Sequence, residues 1–168
     1  MSSTLIGILI SKKYVNRVAE LIEFKSFLDI LKTKIRYTYE PLGEIFNDIS
    51  SSFSFNISKI LKETSYNMET NNAGKAWKIA IENSNININK EDKKVLLTLS
   101  KMLGETDLEG QVSQIEQTSN FLDIQIEKAE NERQKNEKLY KTLGSVCGAG
   151  LIILLMWKDV QNGNWFII

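Results

Sequence analysis

The sequence predicts an all-α fold: a bundle of about six helices whose last helix is long and continues into an apolar end. Three observations carry this. Proline occurs once, at Pro41, and no sustained apolar–polar alternation marks a strand. Apolar residues recur at three- and four-residue spacing through nearly the whole chain. Sixteen residues, Thr142 to Trp157, carry no charge and are bounded by Lys141 and Lys158.

The first helix covers about residues 14–38. Leu21, Phe24, Leu28, Leu31 and Ile35 lie on one stripe of it, and Phe27 and Ile30 widen that stripe toward a second neighbour. Pro41 suits the first turn of the second helix, where its missing N–H has no intrahelical partner. Leu42, Ile45, Phe46 and Ile49 form that helix's buried face. Ser50, Ser51 and Ser52 break the pattern and offer hydroxyl caps. A third helix covers about 54–69, with Ile57, Ile60 and Leu61 inward, and Asn71 to Gly74 reads as a turn. Ala76, Trp77, Ala80 and Ile81 form a fourth helix, with Trp77 packed beside two alanines in the core. Asn83 to Asn89 is an Asn-rich loop, and Asn89 can cap a fifth helix over about 90–103 that buries Val95, Leu96, Leu99 and Met102. Gly104 ends it in the left-handed position.

The last helix opens on an expected capping box, with Thr106 as the cap and Glu109 reaching back to its N–H. Val112, Ile115, Ser119, Leu122, Ile126, Ala129, Arg133 and Asn136 continue its seam. That seam turns polar after Ala129, so its early part belongs in the bundle and its later part projects. The acids Glu105, Asp107 and Glu109 offset the positive end of the helix dipole, a simpler account than a cation site.

The bulk properties exclude several function classes. The 168 residues suffice for one domain with a real core. Lys plus Arg and Asp plus Glu are 21 each, and 20 of each lie between Lys12 and Lys141. So balanced a region has no net field to attract phosphate backbones, and nucleic acid is not an expected partner. There is no histidine, which removes the commonest general base and metal ligand. The single cysteine, Cys147, sits among small apolar residues and cannot form an internal disulfide. The chain is therefore not expected to be an enzyme, and no cofactor or metal is implied.

The apolar ends set the expected organisation. Residues 142–157 read as a C-terminal transmembrane helix. At about 24 Å the run is shorter than a hydrocarbon core of about 30 Å, and its flanking lysines can snorkel outward. Trp157 suits an interfacial position. Gly144 and Gly148 form a GxxxG through which another membrane helix can approach. Residues 1–11 are also free of charged side chains and look like part of an N-terminal transmembrane helix whose first half is missing. Lys12, Lys13 and Arg17 follow this stretch, and Arg133, Lys135, Lys138 and Lys141 precede the C-terminal run. That bias puts residues 12–141 in the cytoplasm. Residues 158–168 are left as an atypical tail.

Several stretches together resemble one family. KNEKLYKTLG, Lys135 to Gly144, runs into GAGLIILLM. LGETDLEGQ carries Leu103, Gly104, Asp107 and Gln111. Pro41-Leu42 with Glu44, and Ala76-Trp77, are further local matches. In these stretches the chain resembles the stage III sporulation protein AB family of endospore-forming bacteria, from the first apolar run to about Met156. The resemblance implies a membrane protein of the mother cell, in its outer forespore membrane, within a multiprotein channel to the forespore. It implies a cytosolic helical domain similar to type II secretion platform domains. The implied partners are the other channel components, above all the apparatus's cytosolic ATPase, and homo-oligomerisation is left open. Pro41, Leu42, Trp77, Leu103, Gly104, Asp107 and Gln111 then read as structural or interface residues. The shortened first apolar run and the tail from Trp157 to Ile168 depart from the family. Two other classes stay open on the residues alone: a membrane-anchored helical adaptor unrelated to sporulation, and a soluble all-α regulatory protein with a buried last helix.

Overall fold

The structure, a computed structural model, describes the backbone of residues 2–161. Side chains are described for residues 12–139 and for Thr142, Gly150, Ile153, Trp157 and Lys158. All regular structure among the described residues is helical. The elements are α1 (Ser2–Tyr37), α2 (Leu42–Ser50), α3 (Phe55–Asn67), α4 (Ala73–Asn83), α5 (Lys90–Thr98) and α6 (Leu108–Gln161), with a 3-10 turn at Leu99–Lys101 after α5.

Two long helices make the frame. α1 and α6 hold 36 and 54 residues, roughly 54 and 81 Å at 1.5 Å per residue. They pack along each other, and three ion pairs set their direction. Arg17 meets Glu132, Lys25 meets Asp123, and Lys32 meets Glu116. As numbers rise along α1 they fall along α6, so the pair is antiparallel. The short helices α2, α3, α4 and α5 each pack on the next, and α5 returns the chain to α6.

The core is aromatic at its centre. Trp77 is fully buried and stacks on Phe27 at 5.6 Å, while Phe24 and Phe46 meet it edge-on at 6.2 and 6.0 Å. Its indole N–H donates to the Leu96 carbonyl oxygen at 2.7 Å, a second donor there beside the Leu99 N–H at the C-terminus of α5. The expected stripe Leu21, Phe24, Leu28, Leu31 and Ile35 is buried, and so is Phe27. Ile30 is not: it lies on the outward side of α1, about 100° round the helix from Leu31.

Four local expectations are corrected. Pro41 is the cap residue before α2 rather than part of its first turn. Gly74 lies inside the first turn of α4, not in the preceding turn. The hydroxyls of Ser50 and Ser51 bond back to the carbonyls of Asn47 and Asp48 and cap no following helix. The fifth helix stops at Thr98 and tightens into the 3-10 turn, and Met102 is only half-buried. The tightening falls where α4 passes close by, with Gly74 against the Ser100 carbonyl.

Candidate functional site at the corner of residues 103–111

The sequence motif Leu103 to Gln111 folds into a closed corner at the end of the bundle where α6 starts. Leu103 is buried and Gly104 follows at φ 75, the left-handed conformation that suits glycine. The Gly104 N–H donates to Gln111 Oε1 at 3.2 Å, and Gln111 Nε2 donates to the Thr106 carbonyl at 3.1 Å. One side chain thus ties both strands of the turn. Asp107 Oδ1 accepts from the Gly110 N–H at 2.9 Å, and its carbonyl accepts from the Gln111 N–H at 3.0 Å. Asp107 is therefore the cap of α6. The capping box expected on Thr106 and Glu109 is not formed, because the helix begins one residue later.

The corner sits on α2 and α4. A methyl group added to Gly104 would lie 3.0 Å from Ala73 Cβ and 3.4 Å from Leu42 Cδ1. Asn72 Nδ2 donates to Glu105 Oε1 at 2.6 Å, while Asn72 Oδ1 caps α4 by accepting from the Lys75 N–H at 2.8 Å. Sequence stretches far apart, Pro41-Leu42, Asn72–Gly74 and Leu103–Gln111, thus meet in one place. Of the predicted site residues, Leu42, Leu103, Gly104, Asp107 and Gln111 come together here, with Pro41 next to Leu42. Trp77 lies in the core behind them. Gly144 and Gly148 fall outside the described side chains.

The rim of this end is exposed and carries charges of both signs: Arg36, Lys62, Lys75 and Lys101 are exposed among the acids, and Lys34 is paired with Glu40. Glu40, Glu44, Glu69, Glu105, Asp107 and Glu109 are all exposed, beside Tyr37, Tyr39 and Leu108. A shallow groove of about 580 Å³ opens between α2 and α3, lined among others by Pro41, Glu44, Asn47, Tyr66, Met68 and Glu69. Among the described residues, no group of three or more His, Cys, Asp or Glu is placed to hold a metal ion.

A second polar cluster, absent from the sequence reading, lies further along α1. Arg17 is 5% exposed and Asp92 fully buried. The guanidinium grips Asp92 with two bonds, Nε to Oδ2 at 2.8 Å and Nη2 to Oδ1 at 3.1 Å, and reaches Glu132 Oε2 with Nη1 at 2.6 Å. The hydrogen bonds with Asp92 raise the Arg17 pKa above its ordinary value, outweighing the opposing effect of burial; the Asp92 and Glu132 charges add to the rise. One turn on, buried Glu20 accepts from Asn56 Nδ2 at 3.0 Å and from the Asn87 N–H at 2.5 Å. The sequence carried a signal for these groups. Arg17 stands four and seven residues before Leu21 and Phe24, and Asp92 stands four and seven before Leu96 and Leu99. A charge on a core stripe needs a buried partner. Arg17 is accordingly committed inside the domain and is not a free member of the basic flank counted from sequence.

At the other end of the frame, Ile153 and Trp157 are exposed, 64% and 66%. No helix of the described residues is long and apolar enough to cross a membrane.

Comparison with known proteins gives one consistent answer. The family model described as "Stage III sporulation protein AB" matches residues 1–156. The chain is similar to Stage III sporulation protein AB of Bacillus subtilis (strain 168), with 26% identity over 160 residues, which covers 93% of this chain and 94% of the relative. It is also similar to a solved structure titled Stage III sporulation protein AB, with a TM-score of 0.66 and 19% identity, covering 71% of this chain and 98% of the other. That likeness shows the shared helical fold.

Proposed function

The chain belongs to the stage III sporulation protein AB family, and from that premise we propose that it is a non-enzymatic platform with one end in a membrane and the other on a cytosolic ATPase. Its role lies in sporulation. The platform would sit in the mother cell's outer forespore membrane, among the other components of a channel to the forespore, with the bundle on the cytoplasmic side.

The observation that carries this reading is the antiparallel register of α1 and α6. Extended from the Arg17–Glu132 pair, it brings residues 2–11 beside roughly residues 138–147. Both apolar runs then leave the bundle at the same end, and the first run is the natural neighbour for Gly144 and Gly148. The corner at 103–111 lies at the opposite end, where Lys32 and Glu116 close the frame. A lipid surrounding for the last run is further supported by Ile153 and Trp157, which are large, apolar and uncovered.

Two experiments test the two halves separately. Carbonate extraction of cell membranes should leave the chain in the pellet, and its release into the supernatant would overturn the membrane half. Calorimetry with the detergent-solubilised full chain should detect binding to the apparatus's ATPase, weakened at least tenfold by Leu108→Asp, a change of about 1.4 kcal/mol or more. No binding by the unaltered chain would sink the coupling half.

A further inference from the structure

We propose that the Arg17 ion triad is a latch which ties the α1–α6 frame to the α4–α5 loop, so that movement of the frame is felt at residues 84–92. The proposal does not depend on what the apolar ends enter.

Three elements share one guanidinium. Arg17 is on α1, Asp92 on the first turn of α5, and Glu132 on α6. Asp92 serves two purposes with the same carboxylate. It grips Arg17, and its Oδ2 also accepts from the Asn89 N–H at 2.9 Å, while its own N–H donates to Asn89 Oδ1 at 2.8 Å. The cap of α5 is therefore built on the atom that holds Arg17. Shifting the arginine disturbs the cap, and the cap fixes where the loop ends.

The loop has a second tether on the same helix. Glu20 takes both the backbone N–H and the side-chain amide of Asn87, the latter at 3.2 Å. Its two anchors, Arg17 and Glu20, are three residues apart on one side of α1. By contrast, the α5–α6 contact is held by single polar bonds: Gln114 Nε2 to the Thr98 carbonyl at 3.1 Å, Thr98 to Thr118 at 3.1 Å, and Lys128 to Glu91 at 3.4 Å. Gln125 Oε1, buried on the α6 face, has no partner. Among the described residues, Arg17 is the side chain on α1 that bonds to both α5 and α6. A slide of α6 by a single residue, about 1.5 Å, would displace the Glu132 carboxylate from the 2.6 Å contact and change the pull on the guanidinium that Asp92 holds.

Glu132 makes the test clean, because it is half exposed and its loss leaves no buried charge unpaired while Asp92 stays on Arg17. Amide hydrogen exchange is followed by mass spectrometry on the full chain in detergent micelles, in the parent and in Glu132→Gln. The latch predicts about fivefold faster exchange at residues 84–92, with α2 and α3 unchanged. Faster exchange confined to residues 129–136 would overturn the proposal, as would a uniform rise across all helices. Arg17→Met supplies the cycle: once it is in place, adding Glu132→Gln should change the loop no further, and an additive effect would also overturn the latch. If Arg17→Met does not fold, the Glu132→Gln result alone decides.

Discussion

Gly74 is the residue where two ordinary expectations conflict. Gly→Ala inside a helix usually gains about 1 kcal/mol. Here an added methyl would overlap the Ser100 carbonyl oxygen and lie 3.1 Å from its carbon, and backbone cannot swing aside. Gly74→Ala should therefore lose about 3 kcal/mol, read by urea unfolding of the detergent-solubilised chain. Gly104→Ala should lose less, about 1–2 kcal/mol, since the left-handed backbone is strained but the Ala73 methyl is the nearest contact. Trp77→Phe keeps an aromatic ring against Phe27 but removes the N–H donor to Leu96. The same unfolding assay should show a loss of about 2–3 kcal/mol from the missing hydrogen bond and the smaller ring, with the Leu96 carbonyl still accepting from the Leu99 N–H. Trp77 was readable as core from its alanine neighbours. Arg17 with Asp92 was not, because 75 residues separate the partners and only the topology joins them.

At the scale of the element, the start of α6 decides between two caps that the sequence permits. Thr106 with Glu109 fits the box pattern, and Asp107 fits an ordinary acidic cap. The turn at Gly104 and the two bonds from Gln111 fix the chain path, and they leave Asp107 at the first free N–H groups. Asp107→Ala should cost about 1 kcal/mol of stability, while Thr106→Ala should stay within about 0.5 kcal/mol; a larger effect at Thr106 would reverse the assignment. α1 shows what periodicity reaches and where it stops. Its stripe from Leu21 to Ile35 was legible because each residue follows the last at three or four. Ile30 was misplaced because apolarity alone does not say which side of a helix has a neighbour. Further along α6, Arg133 bonds Glu130 at 2.5 Å, which holds the glutamate below its ordinary pKa, and the seam loses its apolar character there.

At the scale of the whole molecule, the helical class and element order were legible, because one proline and a single recurrent spacing leave little else. The pairing of first helix with last was not. Pro41-Leu42 and Leu103–Gln111 look like unrelated fragments in the sequence. They become one site because the corner folds onto α2 and α4, at the end of the bundle where Lys32 of α1 meets Glu116 of α6. The carbonate and calorimetry experiments test the apolar end and the corner independently. The closure of α6 on α1 bears on how the chain is made. Arg17 and Glu132 stand 115 residues apart, so the defining contact of the frame has a high contact order. During synthesis α2, α3 and α4 can pair with their sequence neighbours early, but one flank of α1 waits for α6. A nascent chain ending before α6 therefore carries Leu21 and Leu28 with that flank open, and it should be the species most prone to aggregation or chaperone capture. Folding is committed by α6, so the bundle closes only after that helix has emerged from the ribosome.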